Sequence, residues 1–218
     1  TEAEIRGSEE VITGNVFIGT GETEIVRMFA RVAQELQKTY PDIRYHITSG
    51  NAEHVLEYLD KGLIDFGLIY TAADSKKYET LPVPLWDTWG VLMREDSPLA
   101  EKTAIAPEDL WDKPFIVSHQ RGDDVPLNRW LGKKEEELHI AATYNLVYNA
   151  SLLVEEGLGY ALCFDKLVNT NGRNLCFRPF STPLKARCQI VWKRYQVFSK
   201  AASLFLQRVR SELGDSQN

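Results

Sequence analysis

The sequence predicts an α/β fold built as two Rossmann-like lobes joined by two crossover strands. Three observations predict it: strand and helix patterns alternate along the chain, one strand–helix–strand stretch has a counterpart later on, and further strand and helix patterns follow that counterpart without a Gly/Ser linker. At 218 residues, 44% hydrophobic and 26% charged, the chain can bury an ample core. No apolar run approaches the roughly 20 residues of a membrane helix.

Residues 1–14 are polar and read as a tail or linker remnant. Order is expected from "NVFIGT", whose β-branched and aromatic residues suit a buried strand. Ile25, Met28, Phe29, Val32 and Leu36 then share one helical face, and Pro41 stops that helix. The strand "IRYHIT" leads to a helix with the stripe Ala52, Val55, Leu56 and Leu59, closed by Gly62 in the left-handed terminating position. "LIDFGLIY" is again a strand, so βαβ crossovers and a parallel sheet follow. Two prolines in "LPVPLWDTW" break the pattern, and a second series begins. It reads as strand "WGVLM", short helix "APEDLW", strand "PFIVSH", helix "VPLNRWL" with Pro126 in its first turn, and strands "LHIAATYN" and "LGYALCF" around the helix "VYNASLLVEEG".

The stretch from His46 resembles the stretch from His139. Both start His-Ile, pass a polar join, run a helix to Gly-Leu and end in an apolar strand. The spans are 62 − 46 = 16 and 157 − 139 = 18 positions, so the second copy is two residues longer before the shared glycine. The pattern alone leaves open whether this is the general likeness of βαβ units or two similarly built lobes. "LCFRPF", "ARCQIVWK" and a last helix with Ala202, Phe205, Leu206, Val209 and Leu213 on one face need a sheet to pack on. The expected division is therefore 15–85 with 165–213 as one lobe, 86–164 inserted as the other, and 214–218 as a tail.

A formal net charge of −6 makes the chain by itself a poor nucleic-acid binder, since that binding rests on Lys and Arg neutralising phosphates. Three cysteines without CxxC spacing, and a start lacking a basic-then-apolar leader, favour a cytoplasmic location with reduced thiols. Cys176 and Cys188 are expected to act as small apolar residues rather than as a redox switch. Walker, GxSxG and HExxH motifs are absent, and "GTGETE" misses the third glycine of a dinucleotide fingerprint at Glu24. No enzyme activity, metal or cofactor is expected.

In open α/β sheets ligands bind beyond the carboxyl ends of strands, where helix N-termini present free N–H groups. Each polar strand-to-helix join is thus a candidate wall. In the first lobe these are Thr20, Gly21, Glu22 and Thr23, with Ser49, Gly50 and Asn51. In the second they are Ser118, His119, Gln120 and Arg121, with Thr143, Tyr144 and Asn145. Helix capping, worth about 1 kcal/mol, competes with ligand contact at Ser49 and Asn51. Only one is needed as a cap, and the expectation is Asn51 for the helix and Ser49 for the ligand. Arg121 is either solvated or the bidentate partner of an effector carboxylate. His119 is either an effector contact or an ordinary strand-end residue. Glu22 either selects an amino group or points to water and favours the helix N-terminus. His119 with Glu22 is the one pair an enzyme reading could use.

"GNVFIGT", "VAQELQKTYPDIRYHITSGNAEHVLEYLDKGLIDFGLI", "WGVLMREDSPLAEKTAIAPEDLWDKPFIV" and "SLLVEEGLGYAL" together resemble the effector-binding part of LysR-type transcriptional regulators, from Asn15 to Leu213. The most specific parts are Tyr-Pro-Asp with Gly62 and Asp65, "SPLA" followed by "EDL", and "EGLGYAL". The resemblance implies a periplasmic-binding-protein-like (type II) architecture with a small-molecule effector between the lobes, here expected to be a small organic acid or amino-acid-like compound. It also implies a homodimer, or a tetramer at full length, that meets DNA only through a preceding winged helix-turn-helix domain, with no membrane contact. "TEAEIRGSEE" would then be the linker remnant of an excised sensor domain. Phe164 stands where the family commonly has proline, and Ser97 where it often has histidine. A solute-binding protein of a transporter would share the architecture and is the alternative.

Overall fold

The computed structural model describes residues 11–119 and 126–215. In chain order the elements are β1 (Gly14–Thr20), α1 (Val26–Thr39), β2 (Ile43–Ser49), α2 (Ala52–Asp60), β3 (Phe66–Ile69), β4 (Tyr78–Met93), β5 (Pro114–Ser118), α3 (Pro126–Leu131), β6 (His139–Tyr144), α4 (Val147–Glu155), β7 (Tyr160–Phe164), β8 (Cys176–Pro179), β9 (Lys185–Lys193) and α5 (Lys200–Asp215). Short 3₁₀ turns at Pro98–Glu101, Pro107–Asp109 and Glu135–Glu137 join the rest.

The strands form one sheet in the order β2-β1-β3-β9-β4-β7-β5-β6, with β8 also paired to β4. Its two halves repeat one plan. β1 lies between β2 and β3, both parallel to it, and β5 lies between β6 and β7 in the same way. The long strands β4 and β9 are antiparallel to their neighbours and connect the halves: β9 pairs with β3, while Trp89–Leu92 of β4 pair with β7. The two stretches that look alike in sequence are therefore β2-α2-β3 and β6-α4-β7, equivalent units of two similarly built lobes.

The buried stripes follow the periodicities. Met28, Phe29, Val32 and Leu36 of α1 face Ala202, Phe205, Val209 and Leu213 of α5, and the Phe205 ring lies 5.8 Å from Phe29 and 5.6 Å from Tyr45. On the opposite face, Val55 and Leu59 of α2 pack on Ile69 and Val191. The second lobe holds two clusters of its own, one around Val91, Phe115 and Leu162 and one joining Ala150 and Val154 of α4 to Ile116 and Ala161. Each helix hides an apolar stripe against the sheet, and this burial is the main stabilising term.

Two expectations change. Pro82 and Pro84 do not end a unit. They lie inside the sixteen-residue β4, at a register shift between Pro82 and Trp86, on a stretch whose only strand partner among the described residues is β9. A proline lacks an N–H to donate, so an irregular, one-sided stretch is where a strand tolerates it. Residues 165–184, assigned from sequence to the first lobe, instead pack with the second. β8 pairs with Gly90–Met93, and Leu175, Phe177 and Phe180 join the second-lobe clusters. The chain returns to the first lobe along β9.

Candidate functional site

The carboxyl ends of the parallel strands come together in pairs. Thr20 is in register with Ser49, and Ser118 with Tyr144. The joins beyond are tied by backbone hydrogen bonds: Gly50 N–H donates to the Thr20 carbonyl at 3.0 Å, and His119 N–H to the Tyr144 carbonyl at 2.8 Å.

In the first lobe Thr20 is buried, and its hydroxyl donates to the Gly21 carbonyl at 2.8 Å. Asn51 is the N-cap of α2: its Oδ1 accepts from His54 N–H at 2.9 Å and lies 2.7 Å from His54 Nδ1. Ser49 is exposed, and its hydroxyl has no hydrogen bond to another described residue. At the far end Gly62, at φ 67°, donates to Leu59 and Leu63 donates to Tyr58, which completes a left-handed helix stop that β-carbon sterics disfavour in other residues.

Thr23 is buried and serves two elements. Its hydroxyl accepts from Ile25 N–H at 3.0 Å, fixing the first turn into α1, and donates to Asp87 Oδ2 at 2.6 Å. Tyr70, just past β3, donates its hydroxyl to the same Asp87 oxygen. Burial raises the Asp87 pKa, with Glu24 adding to the rise, while the Thr23 and Tyr70 hydrogen bonds oppose it. Burial, then the Asp87 charge, pushes the Tyr70 phenol far up. A buried carboxylate on a crossover strand thus pins two first-lobe strand ends. Sequence reading missed it, because "PLWDTW" registered as a break; the signal was an acidic residue set among aromatic and aliphatic ones.

The lobes meet through a hydrogen bond and a cluster of rings in particular. Glu22 Oε2 accepts from the N–H of Val147, the first residue of α4, at 2.5 Å. The Phe164 ring stands 5.2 Å from Tyr70 and 4.6 Å from Trp89, at an angle to each. Phe164 is thus an aromatic wedge between first-lobe Tyr70 and the second lobe. Of the two readings of Glu22, a helix N-terminus is where it sits, but the helix belongs to the other lobe.

In the second lobe the Tyr144 hydroxyl donates to the Leu162 carbonyl at 2.8 Å, and burial, followed by the charges of Cys163 and Glu22, raises its pKa well above the usual phenol value. That hydroxyl is engaged inside its own lobe. Thr143, Asn145 and His119 are exposed. Ser118 borders an apolar hollow with Phe115, Val117, Leu127 and Leu131. Gln120 and Arg121 lie outside the described residues.

Counted back from the terminating glycines, 62 − 51 = 11 and 157 − 146 = 11, so the equivalent of the Asn51 cap is Leu146. The two additional residues lie before that position, since 51 − 46 = 5 and 146 − 139 = 7. Leu146 has no side-chain oxygen to offer, and its side chain makes no cap hydrogen bond to α4.

The assembled groups can orient a polar molecule through hydroxyl, amide, carboxylate and backbone N–H contacts. His119 and Glu22 do not form a pair, as Glu22 is bound to Val147. Among the described residues no group of three or more His, Cys, Asp or Glu side chains could hold a metal ion. Burial pushes the Cys163 and Cys188 thiols up to about 12, so both stay protonated at neutral pH.

Residues 9–214 match the family described as the LysR substrate binding domain. The chain belongs to that family. It is similar to the "Uncharacterized HTH-type transcriptional regulator YvbU" of Bacillus subtilis (strain 168), with 25% identity over 203 residues, covering 92% of this chain and 68% of that protein. Its fold is similar to that of the effector-binding domain of QuiR in complex with shikimate, with TM-score 0.76, 16% identity, and 94% and 99% of the two chains covered. It is also similar to the BenM effector-binding domain with its effector benzoate, with TM-score 0.69, 15% identity, and 93% of each chain covered. The two-lobed, type II periplasmic-binding-protein-like fold is thus that of a LysR-type effector-sensing domain. The transporter reading is not favoured, and the family is one of transcriptional regulators rather than enzymes. No helix among the described residues is long and apolar enough to cross a membrane.

Proposed function

We propose that the chain senses a small molecule bound between its lobes and passes that signal to the DNA-binding domain of a LysR-type regulator. The observation that carries this reading is the meeting of the two sets of strand ends, where Glu22 of one lobe bonds the first helical N–H of the other. A ligand inserted there contacts both lobes at once. Its affinity then depends on how the lobes are set, which is the differential affinity that a ligand-driven shift requires, with couplings of about 1–3 kcal/mol typical.

Thr20, Gly21, Glu22, Thr23, Ser49, Gly50 and Asn51 form the first wall of the proposed site. Ser118, His119, Gln120, Arg121, Tyr144 and Asn145 belong to the second, with Tyr144 as a support rather than a direct contact. Ser49 is the favoured ligand donor of the first wall, since Asn51 is engaged as a cap. A small organic acid or an amino-acid-like compound is the proposed effector class. Shikimate and benzoate, held by QuiR and BenM, are both carboxylic acids, while Glu22 favours a molecule that also brings donors or an amino group. The regulator acts in the cytoplasm as a homodimer or tetramer and touches DNA through its N-terminal winged helix-turn-helix.

Thermal-shift screening of small carboxylic acids, amino acids and aromatic acids, followed by calorimetry of each hit, tests the reading. A hit should raise the melting temperature and lose affinity in Ser49→Trp, which fills the first wall. A well-folded chain that binds nothing in that panel would contradict it.

A further inference from the structure

We infer that Glu22 is an interlobe latch: a carboxylate built into the chain that holds the lobes together by occupying the N-terminus of α4 in the absence of effector. The regulatory meaning of this rests on the cleft being the effector site, but the latch itself does not.

Three observations point to it. The capping position of α4 is Leu146, which cannot accept a hydrogen bond, whereas the equivalent Asn51 caps α2 from within its own lobe. The acceptor that reaches α4 comes from 125 positions away, and charge complementarity with the helix N-terminus reinforces the contact. Glu22 also stands on a fixed base, between the buried Thr20 and the Thr23 tied to Asp87, so a pull on its carboxylate is carried into the first lobe.

Position in the sheet gives the contact leverage. Asp165 N–H donating to the Thr88 carbonyl, and the tilted contact of Phe164 with Tyr70, lie beside the crossover strands. β1, which leads to Glu22, is three strands from β4, and β6, which leads to Val147, is also three strands from β4 on the other side. A bond far from the hinge resists opening more than one at the hinge. A hydrogen bond to a charged group shifts an open–closed ratio by roughly tenfold or more. A carboxylate effector would meet the α4 N-terminus only after displacing Glu22.

The experiment separates a latch from a mere helix cap. Spin labels at Glu53→Cys and Asn149→Cys, exposed positions on α2 and α4, report the lobe separation by pulsed electron resonance with labelled chain diluted into unlabelled chain. Amide hydrogen exchange at Val147 reports the cap. Glu22→Ala should lengthen and broaden the distance distribution and speed Val147 exchange roughly tenfold. Leu146→Asn, copying the α2 cap, supplies an acceptor for the N–H three positions on, at residue 149, and so should restore the stability of the helix start in the Glu22→Ala background while leaving the distances long. The inference is overturned if Glu22→Ala leaves the distances at their wild-type values, or if Leu146→Asn restores them, because Glu22 would then serve only the stability of α4. Neither outcome bears on whether the cleft binds a ligand, which the screen decides separately.

Discussion

The N-termini of α2 and α4 occupy equivalent places in equivalent units, and they are satisfied in opposite ways. α2 is capped by its own Asn51, so the helix start is complete within one lobe and Ser49 beside it is left open. α4 has Leu146 at its capping position and takes Glu22 from the other lobe. The same backbone need, a set of N–H groups without helical partners, is met locally in one unit and between units in the other. Self-contained parts build a wall, and parts that need a partner make a joint.

The packing under the two helices differs in a parallel way. Val55 of α2 presses on glycines: an added β-carbon at Gly67 would stand 2.3 Å from Val55 Cγ1 and 3.0 Å from Val191 Cγ1. At the same helical turn α4 has Ala150, fully buried against larger strand residues that include Ile116. Large on small in one lobe corresponds to small on large in the other. Gly67→Ala should therefore lower unfolding stability by about 2–3 kcal/mol, with Val55→Ala in the same chain recovering part of the loss. Ala150→Val should cost about 1–3 kcal/mol for the same reason. Denaturant titration of both sets shows whether the two units are true inverses.

The Thr23–Asp87–Tyr70 cluster has no counterpart described in the second lobe, and it sharpens the contrast on the first-lobe side. Asp87→Ala leaves two hydroxyls, one of them buried, without their acceptor and should cost about 2 kcal/mol. Asp87→Asn keeps an acceptor and tests the charge. Burial raises the Asp87 pKa in the folded chain, so the folded state holds its proton to higher pH than the unfolded state does. The contribution of Asp87 to stability is therefore greatest below the ordinary carboxylate range and falls as pH rises through the raised folded value. Wild-type melting temperature should show this decline just above the usual Asp range, and Asp87→Asn should lack that component.

The smallest expected effects fall on the caps themselves. Asn51→Ala should destabilise the chain by about 1 kcal/mol, whereas Leu146→Ala should change stability by less than about 0.5 kcal/mol, as an exposed residue that makes no cap. Equal losses at the two positions would remove the asymmetry on which the comparison stands.

Which parts were legible in the sequence follows from the distance over which each is decided. Helix stripes, the two stopping glycines and the Asn51 cap are local, fixed by residues within a few positions of each other, and they read correctly. The division of β4 at its prolines read wrongly, since a register shift and a single strand partner among the described residues make Pro82 and Pro84 tolerable there. Glu22 was legible as a helix-terminus residue but not as the partner of Val147, and Asp87 was invisible as the partner of Thr23, 64 positions away. Those contacts exist only once the lobes are set against one another.

The account turns on whether the two strand-end walls take one ligand between them, and a nuclear magnetic resonance titration tests that most directly. With a hit from the thermal-shift screen added stepwise, the amides of Gly50 and Asn51 in the first lobe and of Val147 in the second should shift along one binding curve with a single affinity. A saturating ligand that shifts only one lobe, or that moves Phe115 and Leu127 around the apolar hollow and leaves Gly50 and Val147 in place, would contradict it.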